Sequence, residues 1–265
     1  MEQERMDLLY KRYCEEEFDK NGVLCAFRPV VPENFNFAYD CVDYIADHQP
    51  GRRAMVWCND KGQERTFTFD DMRRYSNRAA NYLLAHGVKR GDMVMVILKR
   101  HYQFWFTILA LHKIGAVIIP ATNLLTKKDV VYRVNAADVA AIVCTADGEV
   151  SQAVEEAEPE FSAPVKKFLV HGSREGWRDF DRELEDYPDT LERIPNQAAD
   201  PMLLYFSSGT TGYPKMVIHD HTYAIAHIVT ARHWHNVVPD GLHLTVADTG
   251  WGKAVWGKLY GQWFC

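Results

Sequence analysis

Between Met93 and Val170 the chain alternates strand-like and helix-like hydrophobic periods, and this alternation limits the folds open to it. "MVMVIL" (93–98) is a short, unbroken apolar run. Such a run suits a strand buried on both faces of a parallel sheet. "HYQFWFTILALHKI" (101–114) has the length of a helix and stops at Gly115. "AVIIP" (116–120), "AAIVC" (140–144) and "VKKFLV" (165–170) read as further strands. Thr126 and Asp129 open one predicted helix, and "GEVSQAVEEAE" (148–158) supplies another. Repeated strand–helix–strand units predict an α/β fold with alternating strands and helices and largely parallel sheets.

The flanking segments are read by the same rules. The first 20 residues read as a helix, with Leu8, Leu9 and Tyr13 as its apolar stripe. Residues 21–50 read as irregular, punctuated by Pro29, Pro32 and Pro50. "AMVWC" (54–58) and "ERTFTF" (64–69) read as two strands around a turn from Asn59 to Gly62. Thr68, followed three residues later by Asp71, has capping-box spacing. Met72, Tyr75, Ala79, Tyr82, Leu83 and His86 then recur at helical intervals, and Gly87 stands where a C-terminal cap belongs. Residues 171–200 are polar and turn-rich, which predicts a surface excursion and the place for a subdomain seam. "MLLYF" (202–206) and "MVIH" (216–219) read as strands, and "DHTYAIAHIVTARHW" (220–234) as an amphipathic helix. "HLTVA" (243–247) reads as a strand before a Gly/Trp-rich segment.

Charge and hydropathy narrow the function. The chain has 30 basic and 36 acidic residues, net −6, which argues against nucleic acid as its partner. "MEQERMDLLYKRYCEEEFDK" carries charges throughout, so no signal peptide is expected. The apolar stretch from Phe104 is interrupted by His112 and Lys113, too early for a membrane span of about 20 residues. The six cysteines contain no CxxC pair, as expected for reduced thiols in a cytoplasmic protein.

The chemistry concentrates in "YFSSGTTGYPKMVIHDH" (205–221), a small-residue loop between two strands. Glycines allow backbone N–H groups to approach oxygens closely, and successive N–H groups form an anion-binding concavity. Ser207, Ser208, Thr210 and Thr211 add hydroxyls, and Lys215 adds a mobile positive charge. A plain exposed hairpin loop has the same composition. The Walker spacing is excluded, because Lys215 follows Gly212 by three residues and Met216 occupies the Ser/Thr position.

The order Ser-Ser-Gly-Thr-Thr-Gly-x-Pro-Lys resembles the phosphate-loop signature of the adenylate-forming superfamily. That superfamily includes acyl-CoA synthetases, peptide-synthetase adenylation domains and luciferases. Three other blocks carry the resemblance in the same order: "TFTFDDMRRYSNRAANYLLAHGVKRGDMVMVIL", "ALHKIGAVIIPAT" (110–122) and "ADTGWGKAVWGKLYGQW" (247–263). The last is similar to the form in acetyl- and medium-chain acyl-CoA synthetases. The resemblance implies that residues 1–265 are an incomplete N-terminal AMP-binding domain, part of the large domain of such an enzyme, without its C-terminal domain. It implies an AMP-forming acyl-CoA ligase in fatty acid metabolism, which joins a carboxylate to ATP and passes the acyl group to coenzyme A. ATP, Mg²⁺ and coenzyme A are then the parent enzyme's cofactors and substrates, with none tightly bound by this portion.

By the same resemblance, Ser207, Ser208, Gly209, Thr210, Thr211, Gly212, Tyr213, Pro214 and Lys215 hold the ATP phosphates. Lys215 neutralises the departing pyrophosphate. Trp251 forms a wall of the acyl pocket, Gly252 leaves room beside it, and His219 lies near the active site. Core packing is the alternative for Trp251. The apolar end at Trp263, Phe264 and Cys265 suggests a cut through a longer chain. The alternative is a naturally short nucleotide-binding regulatory protein without catalysis. His219 with His221, and His233 with His235, form H-x-H pairs, but no Cys or carboxylate completes a ligand spacing. No metal site is therefore assigned.

Overall fold

The computed structural model describes residues 9–207 and 212–265. It begins with a hairpin of β1 (Cys14–Phe18) and β2 (Leu24–Pro29), followed by a π-helical segment (Ala38–Asp43) and α1 (Tyr44–His48). A second hairpin, β3 (Arg53–Cys58) and β4 (Glu64–Thr68), leads into α2 (Phe69–Ala85). The alternating region then runs β5 (Met93–Ile97), α3 (Gln103–Ile114), β6 (Val117–Pro120), α4 (Lys127–Ala136), β7 (Val139–Thr145), α5 (Val150–Ala157) and β8 (Lys166–Val170). A short β9 (Arg178–Asp179) and α6 (Phe180–Leu184) precede the hairpin of β10 (Pro201–Ser207) and β11 (Lys215–Asp220). Helices α7 (Thr222–Val229), α8 (Gly252–Trp256) and α9 (Tyr260–Phe264) complete the order, with a π-helical turn, Thr230–Trp234, extending α7.

Seven strands form one sheet in the order β11-β10-β6-β5-β7-β8-β9. Every pairing in it is parallel except β10 with β11. The side chains of β5 alternate between two cores. Val94 and Val96 pack on one face with Phe104, Ile108 and Leu111 of α3. Met95 and Ile97 pack on the other with Val130 and Val134 of α4 and Val150 and Val154 of α5. Full burial of each such side chain contributes about 1.5–3 kcal/mol. Every residue of α3 is buried, which matches its apolar character all round. No helix among the described residues is long and apolar enough to cross a membrane.

Both capping boxes form: Thr68 with Asp71 starts α2, and Thr126 with Asp129 starts α4. Three other sequence expectations fail. Residues 14–18 form a strand and not a helix, because the "CEEEF" stretch pairs with "LCAFRP" and its Glu17 meets Arg28. Leu8, part of the proposed stripe, lies outside the described residues. Residues 21–50 are structured: the π-helical segment and the turn before it cap the end of α3, with Asn36 Nδ2 donating to the His112 carbonyl at 2.8 Å and Tyr39 Oη to that of Lys113 at 3.3 Å. Residues 243–247 form no strand, because no neighbouring strand pairs with them among the described residues. They keep the alternation of a strand, with Leu244 and Val246 exposed and Thr245 buried between them.

Residues 171–200 are tied to α2. Phe180 is buried against Tyr82, Asn77 Nδ2 donates to the Asp189 carbonyl, and Asn81 Nδ2 to those of Pro188 and Thr190. The six cysteines are free thiols; Cys14, Cys41, Cys144 and Cys265 are buried.

Lys113 is a cation inside this core, 1% exposed. Its Nζ donates to Asp43 Oδ1 at 2.8 Å and to Asn77 Oδ1 at 2.7 Å, joining α3 to the π-helical segment and α2. Burial pushes the lysine's pKa down and that of Asp43 up, against their mutual attraction. Removing one member of a buried pair costs about 3–5 kcal/mol, because the other charge is stranded. Lys113→Met is therefore expected to lower stability by about that amount in urea denaturation, and Lys113→Met with Asp43→Leu to recover part of it.

His221 is buried, and neither ring nitrogen has a hydrogen-bond partner among the described residues. Burial pushes its pKa from the ordinary 6.5 down to about 4. The unfolded chain takes up this proton near pH 6.5 while the folded chain resists until about pH 4. Stability is thus kept above pH 6.5 and lost as the pH falls towards 4, by up to about 3 kcal/mol. Thermal melts from pH 7.5 to 4.5 are expected to show a shallower acid loss in His221→Phe.

Candidate functional site

The carboxyl ends of β6 and β10 position the residues singled out from sequence. Ser207 ends β10 and pairs in register with Lys215, which opens β11. Ser207 Oγ donates to the Lys215 carbonyl at 3.4 Å, and both residues are exposed. Ser208, Gly209, Thr210 and Thr211 lie outside the described residues. Gly212 has φ +102°, a backbone conformation that side chains disfavour, so glycine is required there.

The returning arm of the loop is anchored by α4. Tyr132 Oη donates to the Pro214 carbonyl at 2.8 Å, and its ring stacks on Tyr213 with centroids 4.7 Å apart. Lys128 Nζ stands 5.9 Å from the Tyr213 centroid. Sequence reasoning missed Tyr132. Its polar end on an otherwise ordinary helix face gives no signal until α4 is placed beside the hairpin.

The block around Trp251 docks on the same sheet end. A Cβ on Gly250 would lie 2.2 Å from the Thr122 backbone nitrogen and 2.5 Å from the Ala121 carbonyl carbon, just past β6. Only glycine permits that approach. A Cβ on Gly252 would meet the Tyr205 ring at 3.3 Å. Tyr205 precedes Ser207 by two residues, about 7 Å along β10.

His219 and Gly252 therefore share one neighbour, Tyr205. The His219 ring lies 5.7 Å from that of Tyr205 and 4.3 Å from that of Tyr223, and Tyr223 lies 4.5 Å from His227. His227 is stacked on Trp256 at 5.8 Å. Burial pushes the pKa of His219 down, and burial with the neighbouring His219 and His235 pushes that of His227 down to about 4. These imidazoles are neutral near pH 7 and form an uncharged aromatic wall. Trp251 is separate from this wall: 65% exposed, it borders a cleft of about 860 Å³ with Met55, Trp57, Leu244 and Trp263.

The H-x-H pairs do not converge. His233 Nε2 meets Glu16 Oε1 at 2.6 Å, while His235 Nδ1 accepts from Gln262 Nε2 at 2.9 Å. His219 faces Tyr205 and Tyr223, whereas His221 lies beside His112. Among the described residues the histidines that approach a carboxylate together are His101 and His171, around Asp147, which sequence reasoning did not single out.

The profile of the AMP-binding enzyme family matches residues 42–261, which include the loop and the Trp251 block. The chain belongs to that family. Among curated relatives, the acyl-coenzyme A synthetase ACSM5, mitochondrial, of Homo sapiens is 34% identical over 244 residues, covering 89% of this chain and 42% of that protein. The acyl-coenzyme A synthetase ACSM3, mitochondrial, of Pongo abelii is 31% identical over 245 residues, again covering 89% and 42%. The chain thus spans about two fifths of the length of these relatives. Of solved structures, an acyl-CoA synthetase of Brucella canis superposes with a TM-score of 0.78 at 23% identity, over 87% of this chain and 42% of that one. The anthranilate CoA ligase AuaEII superposes with a TM-score of 0.72 at 22% identity, over 88% and 44%. Both likenesses bear on the fold, an α/β domain with a mixed, mostly parallel sheet.

The close approach of Gly250 to β6 gives a direct test of how the Trp251 block is held. Gly250→Ala is expected to push residues 248–252 off the sheet end and cost about 1–3 kcal/mol, the range for forced overpacking. Chemical denaturation followed by tryptophan fluorescence measures both the loss and any altered environment of Trp251.

Proposed function

We propose that this chain is the phosphate- and acyl-binding part of an AMP-forming acyl-CoA ligase. In that reaction a carboxylate oxygen bonds to the α-phosphorus of ATP, and the bond to the bridging oxygen breaks, releasing pyrophosphate. The thiol of coenzyme A then displaces AMP from the acyl-adenylate, and the thiol proton is released. The observation that carries the reading is the placement of Ser207, Gly212 and Lys215 at the carboxyl end of β10, two residues from the aromatic wall at Tyr205. Ligands of open α/β sheets bind at that end of the strands.

The residues fit the group they would hold. Ser207 Oγ and backbone N–H groups are donors suited to phosphate oxygens, and the exposed Lys215 is a mobile cation that would accompany the departing pyrophosphate. In-line displacement at phosphorus depends on positioning and charge neutralisation more than on a covalent nucleophile. The uncharged wall of Tyr205, His219, Tyr223 and His227 suits an apolar acyl or aryl group. Gly252 adds the space that a side chain would fill against Tyr205. Trp251 would close that space from the neighbouring cleft.

The chain covers about two fifths of its relatives, so we expect the 265 residues alone to bind ATP–Mg²⁺ without turnover. Calorimetric titration should show saturable ATP binding, weakened about 10- to 100-fold by Lys215→Ala, the loss expected for one charge-assisted contact. Unchanged affinity in Lys215→Ala would remove the lysine from the phosphate site. Carboxylate-dependent ATP–pyrophosphate exchange should stay at background, and exchange above it would show that these residues suffice for the first half-reaction.

A further inference from the structure

The carboxyl ends of β5, β7 and β8 bring together His101, Asp147 and His171, which lie apart in sequence. We propose that these three side chains form a binding site for one divalent transition-metal ion, with Zn²⁺ the ion that fits best. His101 Nε2 is 3.4 Å from Asp147 Oδ2, and His171 Nδ1 is 3.8 Å from the same oxygen. All three ligand atoms lie within 4.8 Å of one another. Ligands about 2.1 Å from a tetrahedral ion stand about 3.4 Å apart. The two contacts to Asp147 match that spacing to within a few tenths of an ångström, and the two imidazoles, whose ligand atoms lie within 4.8 Å of each other, would close by up to about 1.4 Å on binding. Two imidazoles and one carboxylate suit zinc and its transition-metal neighbours and not Mg²⁺ or Ca²⁺, which take oxygen ligands.

The surroundings hold the ligands in place. His101 is buried, and its Nε2 is 2.7 Å from Oγ1 of Thr145, a contact that ligation by this nitrogen would replace; the same Oγ1 accepts from the Asp147 backbone N–H at 3.0 Å and holds the Asp147 turn. His171 has φ +65°, in the left-handed region that a residue with a side chain adopts at a cost. Asp181 secures it there: its Oδ2 accepts from the His171 backbone N–H at 2.7 Å, and its Oδ1 from Gln103 Nε2 at 2.7 Å. That conformation sets the two imidazoles 3.9 Å apart, centroid to centroid.

Asp147 and His171 are exposed, which leaves the remaining coordination positions open to water or to an incoming ligand. The place is separate from the phosphate loop, since β5 lies two strands from β10, about 10 Å across the sheet. Bound metal would lock the ends of three neighbouring strands together.

The test uses tag-free protein stripped with EDTA and titrated with Zn²⁺ against a chromophoric chelator, with Co²⁺ absorption as a second readout. One Zn²⁺ per chain at micromolar affinity or tighter is expected, with Co²⁺ giving the visible bands of a tetrahedral site. Asp147→Asn and His171→Asn should each weaken binding at least about tenfold, with unchanged circular dichroism. Asparagine is chosen at 171 because it tolerates the left-handed backbone. Absence of saturable Zn²⁺ binding by the wild-type protein would overturn the proposal. So would binding that both variants leave intact, which would place the metal on other histidines.

Discussion

Strand β5 has to be covered on both faces, and the rest of the molecule follows from that. Val94, Val96 and Leu98 point into one core, Met95 and Ile97 into the other, and all five are fully buried. A single helix layer would leave one set in water. The chain places α2 and α3 on one side and α4 and α5 on the other. It does so by running from β5 outward to β6 and then crossing back to β7. The reversal separates the connections at the carboxyl ends of β5 and β7, which is where an open α/β sheet has room for chemistry.

The β10–β11 hairpin shows how such a scaffold holds a loop of small residues. Glycine and serine cannot anchor themselves by burial. The anchoring is done by Tyr132, which stacks on Tyr213 and binds the Pro214 carbonyl from the adjacent helix. Gly250 does the converse for the Trp251 block, allowing two backbones to touch where any side chain would separate them. The family match covers this region continuously, from residue 42 to residue 261.

Much of the fold was legible in the sequence because its signals are local. Thr68 with Asp71, and Thr126 with Asp129, announce helix starts within four residues, and "MVMVIL" announces a doubly buried strand by composition alone. Partner-dependent features were not legible. The acid-rich β1 is a strand only because β2 lies beside it, and "HLTVA" has a strand's pattern without a neighbour to pair with among the described residues. The family resemblance of the Ser207–Lys215 segment was readable from the order of its residues, whereas the support from Tyr132 needed the position of α4. His101, Asp147 and His171 were invisible for the same reason: they meet only when parallel strands align their ends. The H-x-H pairs offered the opposite lesson, since closeness in sequence sent their side chains to different neighbours.

The ion pair at the end of α3 bears on how this sequence can diversify. Lys113 and Asp43 are 70 positions apart, and Asn77 completes their arrangement. A neutral replacement at either position strands a charge, so single-step descendants pass through a weakened intermediate. Paired replacement escapes that intermediate but requires two coincident changes. Three distant positions should therefore drift slowly and together, although among the described residues none of them touches the β10–β11 hairpin or the aromatic wall. An observer of related sequences would find this covariation in the interior, and its cause is solvation and not catalysis.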